Sequence, residues 1–313
     1  GRAAQPVIDL LAVDALLLNL DQADTELVNN AGIFEGLTYN THGTHVAGTI
    51  AANRDGTGTH GVAYGANLTV ARLFFNSASI IERDPVEGLG QYALGGVGPS
   101  DAVFADLYDQ LNAQEVRAVN HSWGFSNEPT TTAQQDLYFT DAGLADYFSI
   151  IADGSRAAGL IQVWAAGNTF PANTSPEAAP IAGVHASLPR AYQDIEPYWL
   201  SVVNVGQNDG LADSSMRGGP TANWCIAAPG TDINSTVYGA DSALNGSLDV
   251  VNGEIVFDVT SRMPTYAYDT MTGTSMATPH VTGALGLLFE RFPYLTSAQV
   301  RDVLLTTAHD LRA

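Results

Sequence analysis

The stretch Gly273-Thr274-Ser275-Met276-Ala277-Thr278-Pro279-His280 sets one serine among small residues on both sides. A backbone can therefore approach closely, and a carbonyl can reach the hydroxyl. Apolar residues Val281, Ala284, Leu285, Leu288 and Phe289 follow at helical spacing, which puts Ser275 at a helix N-terminus. There the first N–H groups lack intrahelical partners, and the positive end of the helix dipole favours a developing anion. Thr274 or Ser275 could serve as a plain N-cap, but a cap does not need Gly, Met, Ala, Thr and Pro in this order around it.

A second segment, Asn40-Thr41-His42-Gly43-Thr44-His45-Val46-Ala47-Gly48-Thr49, also opens a helix, with His42 at its start and small residues beneath it. Taken together, HGTHVAG and GTSMATPHV resemble the signatures of the subtilisin-like serine proteases. The similarity runs from about residue 40 to the end and, within that family, looks like the passenger domains of bacterial subtilase autotransporters. The competing serine motif, the nucleophile elbow of α/β-hydrolases, needs Gly-x-Ser-x-Gly. Position 277 is Ala, and a histidine precedes the serine.

The residues support acyl-transfer chemistry in their own right. A serine hydroxyl is too weak an acid to ionise at neutral pH, so Ser275 needs a base, and the His42 imidazole can accept its proton and pass it to a leaving amine. His45 and His280 flank the same motifs; on the family pattern they fall on packing and hydrogen-bonding positions. Asn168 follows a strand-like run in Trp164-Ala165-Ala166-Gly167-Asn168, and it matches the family's oxyanion asparagine, with the Ser275 backbone N–H as second donor. Val119-Asn120-His121-Ser122-Trp123-Gly124 resembles the family's substrate-binding strand, which pairs with substrate as an added strand. The resemblance makes Ser122, Trp123 and Gly124 one wall of the pocket for the residue before the scissile bond, and Ala165, Ala166 and Gly167 the other. Neither wall carries a charge, so an apolar or aromatic side chain is the expected occupant.

The family's orienting aspartate lies in Asp-Ser/Thr-Gly at a strand end, and no such triplet precedes His42. Asp9, after Pro6-Val7-Ile8, is the first choice. Asp14 and Asp21 also end apolar runs, and all three remain open, at separations of 33, 28 and 21 residues from His42. Only a few residues precede Asp9, so the N-terminal elements of compact subtilases are expected to be shortened or missing from this sequence.

The 313 residues suffice for one large α/β domain, and a single subtilase catalytic domain over 1–313 is expected. Strand-like runs at Leu68–Phe74, Val116–Ser122, Leu160–Ala165 and Leu200–Val205 alternate with helical patterns at His42–Asn53, Asp101–Asn112, Leu144–Gly159, Ser275–Arg291 and Ser297–Ala308. That alternation predicts a mostly parallel central sheet with helices on both faces. Segments 84–100, 126–141 and 231–265 look like surface insertions.

Acidic residues number 33 against 12 basic ones, all arginine, for a net charge of −21. This argues against nucleic acid and anionic membranes as partners, and salt or divalent cations would screen the self-repulsion. No apolar run reaches the length of a membrane span. The N-terminus has no cationic region ahead of a long apolar core, so a mature or trimmed chain is expected. Cys225 is the only cysteine, which rules out an intrachain disulfide, and it reads as a small buried hydrophobe. Some secreted family members pair a cysteine here with one near Arg217-Gly218-Gly219, and this chain has none there.

Function therefore reads as a secreted or cell-surface serine endopeptidase with protein or peptide substrates. The resemblance further implies its own propeptide and a C-terminal translocator barrel as partners. No cofactor is required, and Asn204–Asp213 and Thr231–Asp249 offer oxygen ligands for a structural calcium. The alternative from another class is a catalytically weakened binding or adhesion module on the same scaffold. An esterase is a third reading.

Overall fold

The computed structural model describes residues 7–9, 34–38, 41–72, 77–84, 88–94, 101–125, 128–169, 180–238, 243–251, 254–263 and 266–309. Along the first third of the chain run β1 (Val7–Asp9), β2 (Phe34–Thr38), helix α1 (His42–Ala51), β3 (Val70–Arg72), β4 (Ser77–Asp84) and β5 (Gly88–Leu94). Next come α2 (Asp101–Ala113), β6 (Ala118–His121), α3 (Thr132–Phe139), α4 (Ala145–Ala158), β7 (Ile161–Ala165), β8 (Trp199–Val205) and β9 (Cys225–Pro229). Strands β10 (Ile233–Tyr238), β11 (Ala243–Val251), β12 (Glu254–Met263) and β13 (Tyr266–Met271) precede α5 (Thr274–Arg291) and α6 (Ser297–Thr307).

The centre is a parallel sheet in the order β6-β7-β8-β9, and β1 and β3 form a second parallel pair. Side chains alternate across a strand, so β7 and β8 feed two cores at once. Ile161, Val163, Leu200 and Val202 pack with Ala277, Val281 and Leu285 of α5 and Val300 of α6. Trp164, Trp199 and Val203 pack on the opposite face with Phe104, Leu107 and Leu111 of α2 and Phe148, Ile151 and Ala152 of α4. Both faces are thus covered, the arrangement a parallel sheet needs to keep its apolar strands from water. Gln162, a long polar side chain inside this layer, is satisfied: it accepts from the Tyr108 hydroxyl at 2.9 Å and donates to the Ile151 carbonyl at 2.7 Å.

The expected strands and helices all occur, with ends shifted by a few residues, and α6 carries the Thr296/Gln299 capping box. The three segments read as insertions each contain regular structure. Segment 84–100 holds β5, which pairs antiparallel with β4, while 231–265 holds β10, β11 and β12. Strands β12-β11-β2-β4-β5 form a five-stranded antiparallel sheet that the sequence did not suggest. Pairing of β11 with β2 joins segments some two hundred residues apart (Leu244 opposite Leu37), a link no local pattern encodes. Segment 126–141 holds α3, whose Gln135 is fully buried and donates to the Ala182 carbonyl and the Ser187 hydroxyl. Arg190 clamps the same helix through Gln135 at 2.7 Å and Asp136 at 2.8 Å. This insertion is docked, and its beginning reaches the site.

Candidate active site

Helices α1 and α5 lie side by side, with Val46 and Ile50 of α1 packed on Met276 of α5. Farther along α5, Gly283 lies against Val62, whose N–H bonds the Thr49 carbonyl in the last part of α1. The two helices therefore run in the same sense and present their N-termini at one end. His42 is the first residue of α1 and Ser275 the second of α5. Burial and the neighbouring His45 hold the His42 imidazole below its ordinary pKa of 6.5, which keeps it in the neutral, proton-accepting form.

The end of β6 meets the start of α5 through a reciprocal pair. The Ser122 hydroxyl donates to the Ser275 carbonyl at 2.8 Å, and the Ser275 hydroxyl donates to the Ser122 carbonyl at 3.2 Å. Asn120 braces the joint, donating to the Ser122 hydroxyl at 2.9 Å and accepting from Thr282 at 3.1 Å.

Asn168 follows β7 across a turn that needs glycine at 167: φ there is +106°, and a Cβ would lie 2.5 Å from the Met216 sulfur. Its Oδ1 accepts from the Thr274 N–H at 2.9 Å and from the Thr274 hydroxyl at 3.2 Å. With the oxygen so committed, the amide NH2 is turned away as a donor. The N–H groups of Met276 and Ala277 bond back to Gly273. The Ser275 N–H has no partner among the described residues. Two donors, the Ser275 N–H and the Asn168 amide, are thus left without these partners at the start of α5.

His45 is fully buried with Nε2 2.8 Å from the Ile233 carbonyl, and His280 Nδ1 lies 2.9 Å from the Met276 carbonyl one turn back in its own helix. Asp9 is the last residue of β1, opposite Arg72 of β3, at the carboxyl end of a parallel strand. Asp14 and Asp21 lie outside the described residues. Cys225 is partly buried, its thiol pushed up to about 11 by burial, and the Gly218 backbone lies directly against its sulfur.

The segments expected to form the pocket walls follow β6 and end β7. Ser122 and Ala166 are buried, Trp123, Ala165 and Gly167 half-buried and Gly124 exposed. The segments expected as walls carry no charge, and one carboxylate lies beside them. Glu128, from the insertion, accepts from the Phe125 N–H at 3.0 Å and from the Val184 N–H at 2.9 Å. Gly183, next to Val184, bonds the Ala166 carbonyl of the other wall at 2.8 Å. Sequence reasoning also missed Thr274, which orients Asn168. Its signal was its place beside Ser275, whereas Glu128 gave none, since its partner lies 56 residues away.

For the oxygens suggested as calcium ligands, Asn204 Oδ1 accepts from Thr231 and Asn208 Oδ1 from the Gly210 N–H, both at 3.2 Å. No group of three or more His, Cys, Asp or Glu side chains converges among the described residues.

A parallel sheet covered on both faces, with a serine and a histidine opening two adjacent helices at one end, defines a subtilisin-like α/β domain. The sequence model of the Subtilase family matches residues 25–313, and the chain belongs to that family. It is 30% identical over 309 residues to an extracellular serine protease of Serratia marcescens, covering 88% of this chain and 26% of that protein. To serotype-specific antigen 1 of Mannheimia haemolytica it is 30% identical over 300 residues, covering 87% of this chain and 29% of that protein. The chain thus spans between a quarter and a third of the length of these relatives. The crystal structure of fervidolysin from Fervidobacterium pennivorans, a keratinolytic enzyme related to subtilisin, superposes with a TM-score of 0.52 at 27% identity. That superposition covers 87% of this chain and 33% of the other.

Proposed function

We propose that the chain is an extracellular serine endopeptidase working through an acyl-enzyme. The observation that carries this reading is the setting of Ser275: its N–H has no partner among the described residues, and the asparagine bonded to its neighbour Thr274 has its amide oxygen already engaged. In the reaction, the O–H turns from the Ser122 carbonyl to His42, which takes the proton as Oγ attacks the substrate carbonyl. The resulting oxyanion accepts from Asn168 Nδ2 and the Ser275 N–H. Collapse breaks the C–N bond, and His42 returns the proton to the leaving amine. Water then repeats the sequence on the ester and releases the acid. Asp9 is our choice for the carboxylate that orients His42, with Asp14 and Asp21 as the alternatives.

Extracellular location follows the names of the relatives. A propeptide and a translocator barrel belong to the same reading, as does a structural calcium, which comparison of thermal unfolding with and without a chelator would reveal. The substrate is a protein or peptide that adds a strand at Ser122–Gly124, the side chain before the scissile bond running between the two walls. Those walls support an apolar or aromatic surface for it; the Glu128 carboxylate at their junction adds a polar end.

A serine-directed phosphonate tests the central claim, since it labels a serine only where a base and an oxyanion site work together. Stoichiometric labelling of Ser275, with casein cleavage abolished in Ser275→Ala, is the expected result. An unlabelled chain would favour the binding-module reading. Single replacements of Asp9, Asp14 and Asp21 by Asn then identify the carboxylate, by a loss of about four orders of magnitude in kcat.

A further inference from the structure

The junction of the two pocket walls is built around one carboxylate. A Cβ on Gly124 would lie 2.5 Å from Glu128 Oε1, and one on Gly183 would lie 2.7 Å from Glu128 Cδ. Glycine at both positions leaves room for that carboxylate, which bridges the strand end at Phe125 and the Val184 backbone. Each oxygen takes one backbone N–H and keeps acceptor capacity for a second donor.

Among the described residues, no ion pair includes Glu128. Burial pushes its pKa up, against the two backbone hydrogen bonds that lower it. The Tyr147 phenol is pushed above its usual range by burial and then by the charges of Asp101 and Glu128. Two carboxylates therefore act on one region. A half-buried carboxylate with no ion-pair partner among the described residues keeps part of its desolvation cost, and a ligand that brings opposite charge relieves it.

We infer that Glu128 sets specificity, selecting substrates with an arginine or lysine immediately before the scissile bond. The walls Ser122–Gly124 and Ala165–Gly167 suit the aliphatic stem of such a side chain, and the free lone pairs of Glu128 receive its charged end. Arginine is favoured over lysine, because a planar guanidinium can donate to both carboxylate oxygens at once. The large negative charge of the chain draws the same substrates during encounter, an effect that fades with salt, whereas the pocket contact does not.

This inference rests on the proteolytic reading, and the experiment separates the two. At moderate salt, kcat/KM is measured for matched peptides ending in Arg, Lys, Leu or Phe before the scissile bond. Arg should exceed Leu and Phe by at least about tenfold, and Glu128→Gln should lower the Arg-to-Leu ratio about 100-fold. The amide introduced by Glu128→Gln has one acceptor oxygen for two backbone N–H groups, so a second readout avoids reliance on that variant's catalysis. Benzamidine, an aromatic amidinium, should bind the Ser275→Ala chain in calorimetry, and binding should weaken at least about tenfold when Glu128→Gln is added. Cleavage with Leu or Phe equal to or better than Arg, or a ratio unmoved by Glu128→Gln, overturns the inference and leaves proteolysis standing. Absence of any cleavage together with Glu128-dependent benzamidine binding would overturn proteolysis and support the cation site.

Discussion

His42 and Asn168 both owe their assigned roles to neighbours. Thr274 occupies Asn168 Oδ1 with two hydrogen bonds, and this constraint leaves the NH2 as the end of the amide that can donate. For His42, burial is the larger cause of its lowered pKa and the nearby His45 the smaller. A general base works in its neutral form, so a lowered pKa extends activity downward in pH. The profile of kcat/KM should rise through a single ionisation centred below 6.5 and then stay flat toward neutrality. A midpoint at about 7 or above would mean that a carboxylate's charge outweighs burial at His42.

At the scale of elements, α3 shows how an apparent insertion becomes part of the framework. A capping box between Thr131 and Gln134 starts the helix. Gln135 fastens it to the segment that runs through Gly183 and Val184, the same segment that Glu128 contacts. Replacing Gln135 by Leu takes a hydrogen-bond partner from the buried Ala182 carbonyl and from the Arg190 guanidinium. Unfolding in urea should show a loss of about 1–3 kcal/mol. A change within a few tenths of a kcal/mol would show that α3 is peripheral.

Across the whole molecule, the layer between α2, α4 and the sheet holds two neutral histidines. His121 and His185 both stack on Trp164, with ring centroids 3.9 and 4.7 Å from it. Burial, aided at His121 by the charge of His185, lowers both from 6.5 to about 3. The unfolded chain takes up these protons as pH falls through 6.5, while the folded chain does not until about 3. Stability is therefore fully present above 6.5 and is lost progressively toward 3, by up to about 2.7 kcal/mol per pH unit for two protons. Urea unfolding between about pH 7 and 5 measures the slope, ahead of most carboxylate titration. A flat profile would contradict neutral burial of the pair.

What was legible in the sequence was local. The helix openings at His42 and Ser275, the strand-then-turn at Asn168 and the apolar runs of β7 and β8 each depend on a few consecutive residues. Their apolar spacing, caps and small-residue runs act over the same short range as the structure they form. The antiparallel sheet joining β11 to β2 and the engagement of Asn168 by Thr274 required contacts between distant segments. Glu128 is the clearest case. In sequence it is one more acidic residue of an acidic chain. Only the meeting of Phe125 and Val184 around its carboxylate, with glycine on both sides, sets it at the junction of the two walls. Such a site arises from desolvation and the close approach of two backbones, and neither exists until the chain has folded.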